Sequence, residues 1–118
     1  MNIVQNGEDL IKYNSQKCYV IGYYMEIDVR QMQIPPAEYY GNVAIILEDS
    51  TSILLYPIWH KKAIRPKAEI KEFKDKKVAV GGIILDQSPQ DPEGQATLIL
   101  PCFITLDSLK HFKNEEIL

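Results

Sequence analysis

The chain has 118 residues, 46% apolar and 25% charged, a balance that suits one globular domain with a core of its own and excludes global disorder. The net charge of −3 and a pI near 5.3 exclude a uniformly basic polyanion binder. No apolar run approaches the roughly 20 residues that span a bilayer, so no membrane contact is expected.

The first residues, MNIVQNGEDLIKY, have no cationic start followed by a long apolar segment, so a cytoplasmic location is the expectation. The segment GEDLIKYN suits one or two helical turns, with Leu10 and Ile11 as anchors and Asn14 as a stop. Residues 17–30, KCYVIGYYMEIDVR, read as a long first strand. Before Gly22 both faces are apolar. After it, Tyr23, Met25, Ile27 and Val29 alternate with Tyr24, Glu26, Asp28 and Arg30, so the strand begins between two layers and continues with one face in solvent. A glycine inside a strand marks a bulge, a bend or a close backbone approach. A bend is expected at Gly22, with Tyr24 on the outward parity.

Pro35 and Pro36 end that strand and stiffen the loop that follows. Gly41 opens a second strand, GNVAIILED, with Val43, Ile45 and Leu47 on one face and Ala44, Ile46 and Glu48 on the other. Asp49, Ser50, Thr51 and Ser52 suit a hairpin turn into a third strand, 53–56, that stops at Pro57. The period then changes, and 66–73 reads as a short helix whose apolar stripe, Ile70 and Phe73, plugs the sheet while its lysines face water. The fourth strand, 77–86, carries paired glycines at 81 and 82 that imply a second bend. A turn-rich loop leads to a fifth strand, 96–105, in which Pro101 suits an edge or a bulge. Asp107 or Ser108 can cap a closing helix on which Leu109 and Phe112 pack back, before a loose tail. There is no internal repeat or linker, so a single domain over 1–118 is expected, with its core at about 8–106 and a short helix and tail over 107–118.

Three stretches, in this order and spacing, carry a resemblance. DLIKYNSQKCYVIGYYMEI looks like a lead-in helix and glycine-bent first strand. NVAIILEDSTSILLYPIW is similar to a strand, acidic turn and strand, and AEIKEFKDKKVAVGGIIL to a helix entering a K-x-V-x-V-x-G strand. Together they resemble the oligonucleotide/oligosaccharide-binding (OB) fold over about residues 8–106. The resemblance implies an all-β, five-stranded Greek-key barrel with a short helix between strands 3 and 4 and short terminal helices. It places the binding face on strands 2 and 3, flanked by loops 31–40 and 87–95. The chain departs from the pattern at Asp49-Ser50-Thr51, where a glycine is common, and in the second loop, which has two acids and no cation.

A sequence-tolerant single-strand binder needs aromatic faces for base stacking beside cations that follow the phosphates. Tyr24, Tyr39, Tyr40, Tyr56 and Trp59 are the candidate platforms, and Arg30, Lys61, Lys62 and Arg65 the candidate cations. The cations cluster: residues 60–77 hold eight against three anions, a local +5, and the rest holds five against thirteen, a net −8. Cys18 and Cys102 read as reduced core thiols. His60 and His111 have no cysteine or acidic cluster near them, so no metal and no cofactor is expected. With no nucleophile constellation and no Gly-rich phosphate loop, the protein is read as a non-enzyme that binds single-stranded DNA or RNA. The alternative is an adaptor or subunit whose partner is another protein or a second copy of the chain, suggested by the outward apolar positions Ala44 and Ile46.

Overall fold

The computed structural model describes residues 2–26, 43–55, 65–87 and 101–112. Their elements, in chain order, are β1 (Ile3–Val4), α1 (Gly7–Lys12), β2 (Lys17–Glu26), β3 (Val43–Ile46), β4 (Ser52–Leu54), α2 (Lys67–Phe73), β5 (Lys77–Leu85), β6 (Cys102–Phe103) and β7 (Ser108–His111). β2 pairs antiparallel with β5 from Lys17 to Tyr23 and with β3 from Tyr23 to Glu26, so one strand serves two neighbours. β3 continues to β4, β4 meets β6 in parallel, and β6 returns to β5. The circuit β2–β3–β4–β6–β5 closes on itself as a five-stranded barrel. β1 and β7 are short additions, on β2 and β5 respectively.

The core follows from strand alternation. Cys18, Val20 and Tyr24 of β2, Val43 and Ile45 of β3, Ile53 of β4, Val78, Val80 and Ile84 of β5, and Phe103 of β6 form one buried cluster. Parity on β2 therefore runs unbroken through Gly22, which faces inward. A Cβ there would lie 2.5 Å from the Ile46 carbonyl oxygen and 2.8 Å from Ile45 Cγ2. A close approach, one of the meanings open to a glycine in a strand, is realised here. β3 lies against the backbone at the point where β2 passes from one partner to the other. Gly82 is an inward glycine of the same kind, set against the Thr105 carbonyl and the Phe103 ring.

Both cysteines are free and buried, and burial pushes their thiols up to about 11. The departure at the β3–β4 turn also has a physical cause. Asp49 accepts hydrogen bonds from Thr51 N (3.1 Å), within the turn, and from Gly7 N (2.8 Å), at the first turn of α1. A glycine at position 49 would remove the side chain that holds Gly7 N. The left-handed residue of the turn is instead Ser50, at φ 71°.

Four expectations need correction. Ser108–His111 are a strand, not a capped helix. β6 covers only Ile84 and Leu85 of β5 and leaves the stretch from Val78 to Gly81 with an open edge, which β7 fills. Four residues gain more from that ladder than from one helical turn. Ile11 is 69% exposed, so Leu10 alone anchors α1. Pro101 lies just before a strand held between β4 and β5, and its carbonyl accepts from Leu54 N at 2.8 Å, a role that needs no N–H. Tyr24 faces inward, as the parity requires.

Gly22→Ala is expected to destabilise the protein. The gain of about 0.5–1 kcal/mol from removing a strand glycine is smaller than the about 1–3 kcal/mol of overpacking against a backbone carbonyl that cannot move aside. Ser50→Gly should do the opposite, because relief of about 1–2 kcal/mol of left-handed strain exceeds the about 0.4–1 kcal/mol of added unfolded-state entropy. Urea midpoints that fall for the first and rise for the second check both; equal midpoints would contradict the close approach and the strain.

Candidate functional site

Two regions gather polar or aromatic side chains: the barrel end under α2, and the outward surface where β2 meets β3 and β5.

At the barrel end, Ile70 and Phe73 of α2 pack on the core cluster. Tyr24 is fully buried, with its ring 5.9 Å from that of Phe73. Its hydroxyl donates to Glu69 Oε2 at 2.6 Å. Arg65 closes on the same carboxylate with a two-point fork, Nε to Oε2 at 2.7 Å and Nη2 to Oε1 at 2.6 Å. Burial together with the Glu69 carboxylate drives the Tyr24 hydroxyl far above its ordinary range. For Glu69, burial pushes the carboxyl up, but the Arg65 fork and the Tyr24 hydroxyl more than reverse it and hold it below the ordinary carboxylate value. The guanidinium is held above its own by the bond to Glu69. At neutral pH the trio is thus a protonated phenol, a carboxylate and a guanidinium, and it acts as a clasp. A second tie joins α2 to β7, where His111 Nε2 lies 2.9 Å from Glu72 Oε1 and the His111 ring 4.6 Å from that of Phe73.

On the outside of the barrel, one cross-strand line runs Met25, Ala44, Leu54, Cys102, Leu85 through the registers of β2, β3, β4, β6 and β5. It carries no charge, and its three central members are buried. One step along β2, the surface opens. Tyr23 is 50% exposed and sits between Ile46 of β3 and Lys77 of β5.

Of the nine residues singled out by sequence, Arg30, Tyr39, Tyr40, Tyr56, Trp59, Lys61 and Lys62 lie outside the described residues, as do loop 31–40 and all but Gln87 of loop 87–95. Tyr24 and Arg65 are brought together, but in the clasp. A stacking platform needs an open ring face, and Tyr24 has none. The neighbouring Tyr23 has one, and carrying the parity of Cys18 and Val20 straight through Gly22 points to it. Glu69 reads by sequence only as a charge offsetting lysines; its inward direction follows from the four-residue spacing to Phe73 only once α2 is seated. Lys67, Lys71, Lys74, Lys76 and Lys77 are exposed, and Lys74 pairs with Glu26 at 3.1 Å. Among the described residues no three His, Cys, Asp or Glu side chains converge as a metal site would require, and no helix is long and apolar enough to cross a membrane. Comparison with known protein families, with characterised proteins and with solved structures finds no match.

Removing parts of the clasp should reveal its weight. Tyr24→Phe loses one charge-assisted hydrogen bond, an expected about 1.5–3 kcal/mol. Glu69→Gln leaves the Arg65 guanidinium half-stranded and approaches the about 3–5 kcal/mol of a broken buried pair. Glu69 has its folded pKa depressed, so its contribution is present above the unfolded carboxylate value of about 4.3 and is lost as pH falls through the folded value. Wild type should therefore shed stability on acidification below about pH 4–5, and Glu69→Gln should shed less. Parallel pH profiles of the two proteins would contradict the clasp.

Proposed function

We propose that the protein is a small non-enzymatic OB-fold barrel of Greek-key form that binds single-stranded DNA or RNA. The observation that carries this reading is the circuit β2–β3–β4–β6–β5, five strands closed into one barrel, with α2 falling between the third and fourth of them. In that fold the ligand lies on the second and third barrel strands and the loops beside them, here β3, β4 and segments 31–40 and 87–95. Tyr39, Tyr40, Tyr56 and Trp59 supply stacking faces, and Arg30, Lys61 and Lys62 supply cations. Tyr24 and Arg65 leave this set because the clasp occupies them. A fold of this kind hosts many functions, so the reading stands on these residues and not on the barrel alone.

A protein partner or a second copy of the chain is the other reading. What favours it is that the part-exposed residues Met25, Ile46 and Leu85 on the barrel's outer face carry no charge, since the core of a protein interface is depleted of charge.

Fluorescence anisotropy with a labelled single-stranded oligonucleotide tests the first. Binding should appear at low salt and weaken as salt rises, and a Tyr39→Ala, Tyr40→Ala double variant should lose about 1–3 kcal/mol for each ring that stacks. Absence of binding at low salt, with a partner captured in a nuclease-treated pull-down or a dimer seen by light scattering, would replace it with the second.

A further inference from the structure

Tyr23 is the single aromatic side chain among the described residues that is exposed, and it lies in mid-sheet, with backbone partners on both sides to hold it still. Directly across from it, Lys77 is exposed as well. The Lys77 ammonium sits 4.9 Å from the centroid of the half-buried Phe112 ring, and the Phe112 N–H donates to the Lys77 carbonyl at 3.0 Å, which fixes that ring beside the lysine on the same outward surface. Beside Tyr23 the surface dips into a recess of about 50 Å³ lined by Gln5, Ile21, Gly22, Glu48 and Lys77. The recess has an apolar floor at Ile21 and polar edges at Gln5, Glu48 and Lys77.

An open ring, a cation one strand away and a shallow dip with a few polar edges are what a single unpaired base and its phosphate require. The recess is too small to swallow a base and large enough to receive its edge. Glu48 repels phosphate, so the base edge rather than the backbone enters there, and its carboxylate can accept from an exocyclic amino group. The phosphate then falls to Lys77. Farther along the outer face the central positions Ala44, Leu54 and Cys102 are already buried and open to no ligand.

The geometry points to the Tyr23, Lys77 and Phe112 surface as a nucleotide subsite, in which one base of a single strand stacks on Tyr23 and its phosphate is held by Lys77. It rests on the single-strand-binding reading, and it adds to that reading a contact on the outer surface of β2, β5 and the residue after β7.

Titration of the full chain with labelled dC15 at several salt concentrations provides the test. Tyr23→Ser should weaken binding by about tenfold, within the range for one stacked base, while Tyr23→Phe should keep most of it. Lys77→Gln should lower the slope of log affinity against log salt by about one. Both positions are exposed, and thermal melts of the variants matching wild type separate binding from folding. Ultraviolet cross-linking of wild type to the same oligonucleotide, read by peptide mass spectrometry, should place an adduct on the peptide containing Tyr23. Binding by wild type with unchanged affinity in Tyr23→Ser, and adducts confined to other peptides, would overturn the subsite and leave the broader reading standing. No binding by wild type at low salt would overturn both.

Discussion

One strand in this barrel has two jobs, and its inner face must be empty where the jobs change over. β2 is paired to β5 up to Tyr23 and to β3 from Tyr23 onward, so at that residue three strands converge. Any side chain at the preceding inward position would meet the backbone of β3, and Gly22 is the residue that avoids it. Because the chain passes this point without a bulge, alternation carries on, and the next two residues are assigned without further choice. Tyr23 goes to the surface and Tyr24 to the interior. Two adjacent tyrosines of identical chemistry receive opposite roles from the register of a glycine.

Sending Tyr24 inward has a cost that the rest of the barrel end is arranged to meet. A buried hydroxyl without a partner is destabilising by about 1–3 kcal/mol, and the nearest partner available, Glu69, brings a charge that is itself costly to bury. Arg65 answers the charge with a two-point fork. The resulting trio fixes α2, a helix of seven residues with no side-chain N-cap that would not persist alone. Backbone bonds support it: Tyr24 N donates to the Lys76 carbonyl and its carbonyl accepts from Asp75 N, so the turn after α2 is stitched to the same residue of β2. Core packing, polar satisfaction and helix placement thus meet at Tyr24.

Alternation made the barrel strands legible: Val43, Ile45 and Ile53, with Val78 and Val80, declare their inward face in any reading of the chain. What misled was Glu26. Its charge suggests that its parity, shared with Tyr24, faces water, yet at the rim of a barrel an inward-parity side chain reaches solvent over the end, where Glu26 meets Lys74. Charge therefore reports parity poorly at a strand's last residue. The fate of 108–111 was illegible for another reason: the open edge of β5 decides it, and nothing within those four residues encodes that edge. Asp49 is similar, since its partner Gly7 is 42 residues away in the chain. For the site, aromatic and cationic residues could be picked out by type, but which of them the fold consumes internally depends on pairings that only the register reveals.

The clasp also alters what the basic segment offers a polyanion. Counted along the chain, residues 60–77 carry three anions against their cations; the clasp takes up Glu69 together with Arg65, one charge of each sign, while Glu72 meets His111 and stays exposed. Lys67, Lys71, Lys76 and Lys77 stay exposed, with Lys77 on the far side of the turn, on the barrel wall beside Tyr23. The protein is thus a net anion in which, among the described residues, five exposed lysines fall between 67 and 77. On the proposed reading, a single strand would be repelled by the acidic remainder and drawn to this stretch. At physiological salt, where the Debye length is about 8 Å, this favours arrival along the lysine-bearing segment over affinity spread across the whole surface. On the proposed single-strand reading, a strand steered in this way needs few direct phosphate contacts, and the exposed Tyr23 beside Lys77 then decides what is retained.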